Sequence, residues 1–104
     1  MKTTVTFRFD FNAIGNTEYA SGQARIKTDR GTYFADINYF DETEEGDSYG
    51  KGFDIEMNEN GRLLFCRMVD LNGFMYRTAS PAQIEKLLEH DLCLMVEGYE
   101  RNNK

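Results

Sequence analysis

A chain of 104 residues with 40% apolar and 29% charged side chains is sized for one hydrophobic core and too short for two. Eight Phe and six Tyr exclude the composition of a disordered chain, and no apolar run is long enough for a membrane-spanning helix. The net charge of −6 is unevenly placed: residues 36–59 hold nine acids and one base, and the rest hold nine acids and eleven bases.

Residues 3–11, TTVTFRFDF, put Val5, Phe7, Phe9 and Phe11 on one parity and Thr4, Thr6, Arg8 and Asp10 on the other, the period of a half-buried strand. That alternation replaces the continuous apolar segment of a signal peptide, so a cytoplasmic location is the expectation. A loop over 12–18 leads to a second strand, 19–28, in which Ala20, Gly22 and Ala24 share a parity with Ile26. Asp29, Arg30 and Gly31 read as a three-residue hairpin loop with Gly31 in the left-handed conformation. The third strand, 32–40, carries Tyr33 and Tyr39 on one face and Phe34 and Phe40 on the other. Either both faces are covered or one displays aromatics to a partner.

After an acidic loop, residues 53–57 and 62–69 flank Asn60-Gly61, a type I′ hairpin signal because both central residues need positive φ. The implied register opposes Glu59 to Arg62, Met57 to Leu64, Ile55 to Cys66, Asp54 to Arg67 and Phe53 to Met68. Leu71-Asn72-Gly73 repeats the device and predicts a sixth strand over 74–78. Ser80, Pro81 and Gln83 form the N-cap, first position and capping box of a helix whose apolar stripe is Ile84, Leu87 and Leu88. Residues 92–96, LCLMV, either extend this helix to a stop at Gly98 or form a seventh strand, and the polar tail 99–104 is expected to fray. The fold class is therefore α+β: a single domain with an antiparallel sheet of about six strands, curled or partly closed, and one C-terminal helix packed on it.

The acidic segment is the first candidate site. As an EF-hand starting at Asp41 it places Gly46 correctly at the sixth position, but puts Thr43 and Glu45 at the third and fifth and Gly52 where a bidentate Glu should stand. Only an irregular, weak metal site fits that pattern. A basic protein surface is the better match, including one that normally holds nucleic acid. Seven extended residues span at most about 25 Å, so their five carboxylates lie roughly 5 Å apart, against one phosphate per ~3.4 Å on each DNA strand. The loop alone is too dilute for a nucleic-acid mimic and needs Asp36, Asp54, Glu56 and Glu59 on the same face. A solvated, solubility-giving loop is the bland reading of the same residues.

Direct nucleic-acid binding rests only on Arg25, Lys27 and Arg30, with Arg8 and Tyr33 nearby, a weak footprint on an acidic protein. Cys66 and Cys93 form no CxxC pair and have no His-rich neighbour, so both are expected as buried reduced thiols. His90 three residues before Cys93 raises a thiol nucleophile, but a helix-end His and a buried Cys explain the pair without chemistry. No GxSxG, HExxH, phosphate-binding loop or dinucleotide fingerprint is present. The expectation is a non-catalytic binding protein without a cofactor. It engages a basic surface through Asp36, Asp41, Glu42, Glu44, Glu45, Asp47, Asp54 and Glu56, with Tyr39, Phe40 and Tyr49 as apolar anchors. Two alternatives are an assembly subunit self-associating through the sheet and a weak metal-binding or thiol enzyme.

Overall fold

The computed structural model describes residues 2–42, 50–72 and 79–104. Five strands, β1 (Thr4–Arg8), β2 (Tyr19–Thr28), β3 (Gly31–Asp41), β4 (Lys51–Glu59) and β5 (Arg62–Asp70), pair antiparallel in the order β1-β2-β3-β4-β5. One helix, α1 (Pro81–Asn103), lies against the sheet, and a single 3-10 turn, Phe11–Ala13, follows β1. The fold is α+β as expected, with two corrections. Among the described residues the strands number five and not six, and the sheet is open, since β1 bonds only to β2 and β5 only to β4. Residues 74–78, read as the sixth strand, lie outside the described residues.

Strand periodicity decides which side chains form the core. Ala24 and Ile26 of β2, Tyr33, Ala35, Ile37 and Tyr39 of β3, and Phe53, Ile55 and Met57 of β4 all fall on one face and are buried. The helix covers that face with Ile84, Leu88, Leu92 and Val96, spaced four apart so that they line one side. This continuing stripe is why residues 92–96 are helical and not a seventh strand. Ser80 caps the helix as predicted: its hydroxyl accepts the Gln83 N–H at 3.2 Å, and the Gln83 side chain accepts the Ser80 N–H at 2.7 Å.

Neither Gly98 nor the polar tail ends the helix early. Glu100 is buried, and its Oε2 accepts hydrogen bonds from Thr28 Oγ1 at 2.5 Å and Tyr33 Oη at 2.7 Å. Lys104 forms an ion pair with Glu59, donates to the Arg30 carbonyl at 3.0 Å, and holds its ammonium 5.0 Å from the Tyr33 ring centroid. Residues 99–104 are thus anchored to the β2–β3 turn, not frayed. That turn has two residues, because Thr28 pairs with Gly31. Gly31 has no left-handed φ. A Cβ there would meet Glu59 Oε2 at 2.6 Å and Lys104 Nζ at 2.9 Å, the ends of flexible side chains that can move aside.

The second hairpin uses Asn60 and Gly61 at φ 53° and 79°, the turn its sequence predicts. The register starts as expected at Glu59–Arg62, then slips by one residue at a bulge opposite Met57 and Asn58 that leaves Leu64 as the extra residue. Met57 therefore faces Phe65, Ile55 faces Arg67, Asp54 faces Met68 and Phe53 faces Val69. The slip turns Phe65 and Val69 toward the helix side, where Phe65 meets Tyr99, and moves Cys66 and Met68 to the other face. Cys66 is accordingly exposed and Cys93 half-buried, both as free thiols, in place of the two buried thiols expected.

Burial, reinforced by Glu100, pushes the Tyr33 phenol up to about 12, and burial with Asp41 nearby does the same for Tyr39. The unfolded chain loses these protons near pH 10 and the folded chain near 12. The stability they contribute is therefore complete below pH 10 and falls as the pH rises through 12. Denaturation midpoints measured from pH 8 to 12 are expected to hold to about pH 10 and then drop, and less steeply in Tyr39→Phe. A midpoint independent of pH over that interval would contradict this account.

Candidate functional site

The alternate parity of the same strands forms an outer face on which no described element packs. Its charges are sorted by strand. β1 and β2 contribute Arg8, Arg25 and Lys27, and β3 and β4 contribute Asp36, Asp54 and Glu56. A neutral seam divides the halves: Ser21 donates to Asn38 at 3.1 Å and Gln23 to Asp36 at 2.8 Å across the β2–β3 ladder. Asp36 stands directly opposite Glu56 in the β3–β4 register, and Asn38 opposite Asp54. Like charges directly opposite on antiparallel strands oppose sheet stability. Among the described residues none of these six charged side chains forms an ion pair.

A groove of about 520 Å³ lies at the loop end of this face, lined by Tyr19, Ser21, Asn38, Phe40, Glu42, Asp54 and Met68. Tyr19 and Met68 are 57% and 56% exposed. The Tyr19 hydroxyl donates to Glu42 Oε1 at 3.2 Å, which holds that carboxylate at the rim. Phe40 lies across Gly52, its Cζ 3.4 Å from where a Cβ would stand, and the Val69 carbonyl is 2.4 Å from the same point. Only glycine fits there, and the bare backbone makes the floor on which the ring rests. A second hollow of about 240 Å³ is lined by Thr6, Arg8, Gln23, Arg25 and Phe34 at the basic end. The surface thus offers two carboxylates beside exposed aromatic and thioether groups at one end, and two guanidinium groups beside an exposed phenyl ring at the other.

The predicted acids divide into three groups. Asp36, Asp54 and Glu56 do share one face, with Phe40 and Glu42 beside them. Asp41 falls on the opposite parity at the end of β3, where it pairs in register with Lys51, and Glu59 is committed to Lys104 on the helix side. Glu44, Glu45, Asp47 and Tyr49 lie outside the described residues. Tyr39, expected as an anchor, is 2% exposed with its ring packed against Phe53 in the core, and it is also among the residues that line the groove. Phe34 belongs to the aromatic face that the sequence raised for display to a partner, whereas Tyr19 and Met68 were not named as site residues. The strand parity of Tyr19 and Phe34 was a usable signal, whereas Met68 reaches this face only through the bulge.

The residues considered for chemistry sit elsewhere. His90 is exposed on the helix, and burial together with Glu97 and Glu89 pushes the Cys93 thiol up, the opposite of what a thiolate nucleophile needs. Among the described residues no three His, Cys, Asp or Glu side chains converge as metal ligands, and no helix is long and apolar enough to cross a membrane. The chain matches no protein-family model, no curated protein and no solved structure. The outer face is therefore interpreted from its own geometry.

Proposed function

We propose that this is a non-catalytic binding protein whose acidic half-face, Asp36, Asp54 and Glu56 with Glu42 at the groove rim, engages a basic surface on a larger protein. The observation that supports this reading is the direct opposition of Asp36 and Glu56 on an uncovered sheet face, beside a groove with exposed Tyr19 and Met68. The acids supply long-range steering and partner choice, and the aromatic and thioether groups supply the desolvated contacts that charge alone does not. Where the partner's basic surface is a nucleic-acid groove, occupation by this face inhibits it competitively. The face is less dense in charge than a duplex, so an inhibitor of this kind also depends on the apolar groove. It requires no cofactor.

The test is capture of a partner from host lysate at low and high salt by wild type and by a variant with Asp36→Asn, Asp54→Asn and Glu56→Gln. A partner captured at low salt, released by salt and missed by the variant is the expected result. Retention of the same partner by the variant, or indifference to salt, would remove the acids from the site. Glu56→Lys separates function from fold in a second way. Replacing a like-charge cross-strand pair by an opposite one is expected to stabilise the protein by roughly 0.2–1 kcal/mol while weakening capture. Thermal denaturation of that variant checks the sign: a lowered midpoint would mean that Asp36 and Glu56 do not repel across β3 and β4.

A further inference from the structure

We infer that the outer face is also the interface of a homodimer, in which the basic half of one protomer lies over the acidic half of its partner. The argument starts from symmetry. A two-fold interface uses the same patch on both subunits, so a charged patch can close on itself only if it carries both signs in separate halves. The outer face meets that condition with three cations, Arg8, Arg25 and Lys27, and three anions, Asp36, Asp54 and Glu56, on either side of the Ser21–Asn38 and Gln23–Asp36 seam.

A two-fold axis along the strands at this seam lays β2 over the partner's β3 and β1 over the partner's β4. The registers then set who meets whom. Arg8, Gln23, Asp36 and Glu56 stand at one level across the sheet, so Arg8 comes over the partner's Glu56. Arg25 and Phe34 share the next level, which brings the Arg25 guanidinium over the ring of the partner's Phe34 in cation–π geometry. Tyr19 and Phe40 share another, so Tyr19 covers the partner's Phe40. Of the five large hydrophobic side chains exposed among the described residues, two, Tyr19 at 57% and Phe34 at 45%, are covered in this way.

The area is sufficient for a weak dimer. β2 and β3 overlap over about 10 by 33 Å, and β1, five residues long, shares only three levels with β4 and adds about 10 by 10 Å, so the interface buries on the order of 400 Å² per protomer, the size of a weak, transient contact. This inference goes beyond the partner-binding reading: pure protein tests it, and its failure leaves the capture experiment unaffected.

The experiment is sedimentation velocity on the purified full chain from micromolar to millimolar concentration, with reductant present so that exposed Cys66 cannot cross-link. Wild type is expected to move from monomer to dimer with rising concentration, less readily at high salt. Arg8→Glu with Arg25→Glu makes both halves acidic, and Asp36→Lys with Glu56→Lys makes both halves basic, so each double variant is expected to remain monomeric alone. Mixed, the two are expected to form a one-to-one heterodimer. Wild type that stays monomeric at all concentrations overturns the proposal, and so does a dimer that survives both reversals. Circular dichroism confirms that the variants are folded, and the wild-type concentration series stands whether or not they are.

Discussion

Replacing Leu92 by Ala is expected to lower the unfolding free energy by about 2–5 kcal/mol, a large part of the 5–15 kcal/mol that holds a domain of this size together. Leu92 is completely buried at the middle of the stripe Ile84, Leu88, Leu92 and Val96, by which the helix covers the inner face of the sheet. Truncation removes its transfer energy and leaves a cavity that sheet and helix, both tied at their ends, cannot close by shifting. Urea denaturation should show a lower midpoint at unchanged slope. Leu94→Ala, two residues on and 52% exposed, should change stability by no more than roughly 0.5 kcal/mol. Equal effects at the two positions would mean that the helix does not sit on the sheet by this face.

The second large effect is expected at Glu100. Its Oε2 accepts from both Thr28 and Tyr33 inside the protein, and its removal leaves the Tyr33 hydroxyl without this acceptor and the Thr28 hydroxyl with the Gly31 carbonyl at 3.5 Å. Each unsatisfied buried donor costs roughly 1–3 kcal/mol, so Glu100→Ala is expected to cost about 2–5 kcal/mol, and Tyr33→Phe, which removes one donor and keeps the ring, distinctly less. The loss should be local as well as global. Amide exchange at the β2–β3 turn and in the last helical turn should accelerate first, because Glu100 and Lys104 fasten those elements together. A Glu100→Ala protein within 1 kcal/mol of wild type would show that the cluster is not a fastening.

The elements that could be read from the sequence are those governed by local chemistry. The Ser80 capping box, the Asn60-Gly61 turn and the alternation of β1 to β4 each follow from neighbours within a few residues. What could not be read depends on non-local packing. The bulge at Leu64 turns Phe65 and Val69 toward the helix side, where Phe65 meets Tyr99, a contact 34 positions away in sequence. The anchored C-terminus was missed because Glu100 looks like solvent-facing surface until Thr28 and Tyr33 are brought to it. The site was half readable: the sequence marked Asp36, Asp54 and Glu56, and the register placed them together. The burial of Tyr39 was not readable, because one strand in isolation cannot say which of its two aromatic faces the helix will cover.

The order of elements along the chain bears on how this protein comes into being. Each of the five strands pairs with its neighbour in sequence, so the sheet can assemble progressively as the polypeptide emerges from the ribosome. Among the described elements the helix follows all five strands in sequence, yet it packs against the 3-10 turn, β1 and β2, which precede the others. Until residues 84–96 are synthesised, the side chains of Ile26, Ile37 and Ile55 lack the helix that covers them, and a nascent meander presents an apolar slab to its surroundings. Biogenesis thus has a window of vulnerability that the finished molecule conceals, and its duration is set by the interval between translation of β5 and of α1.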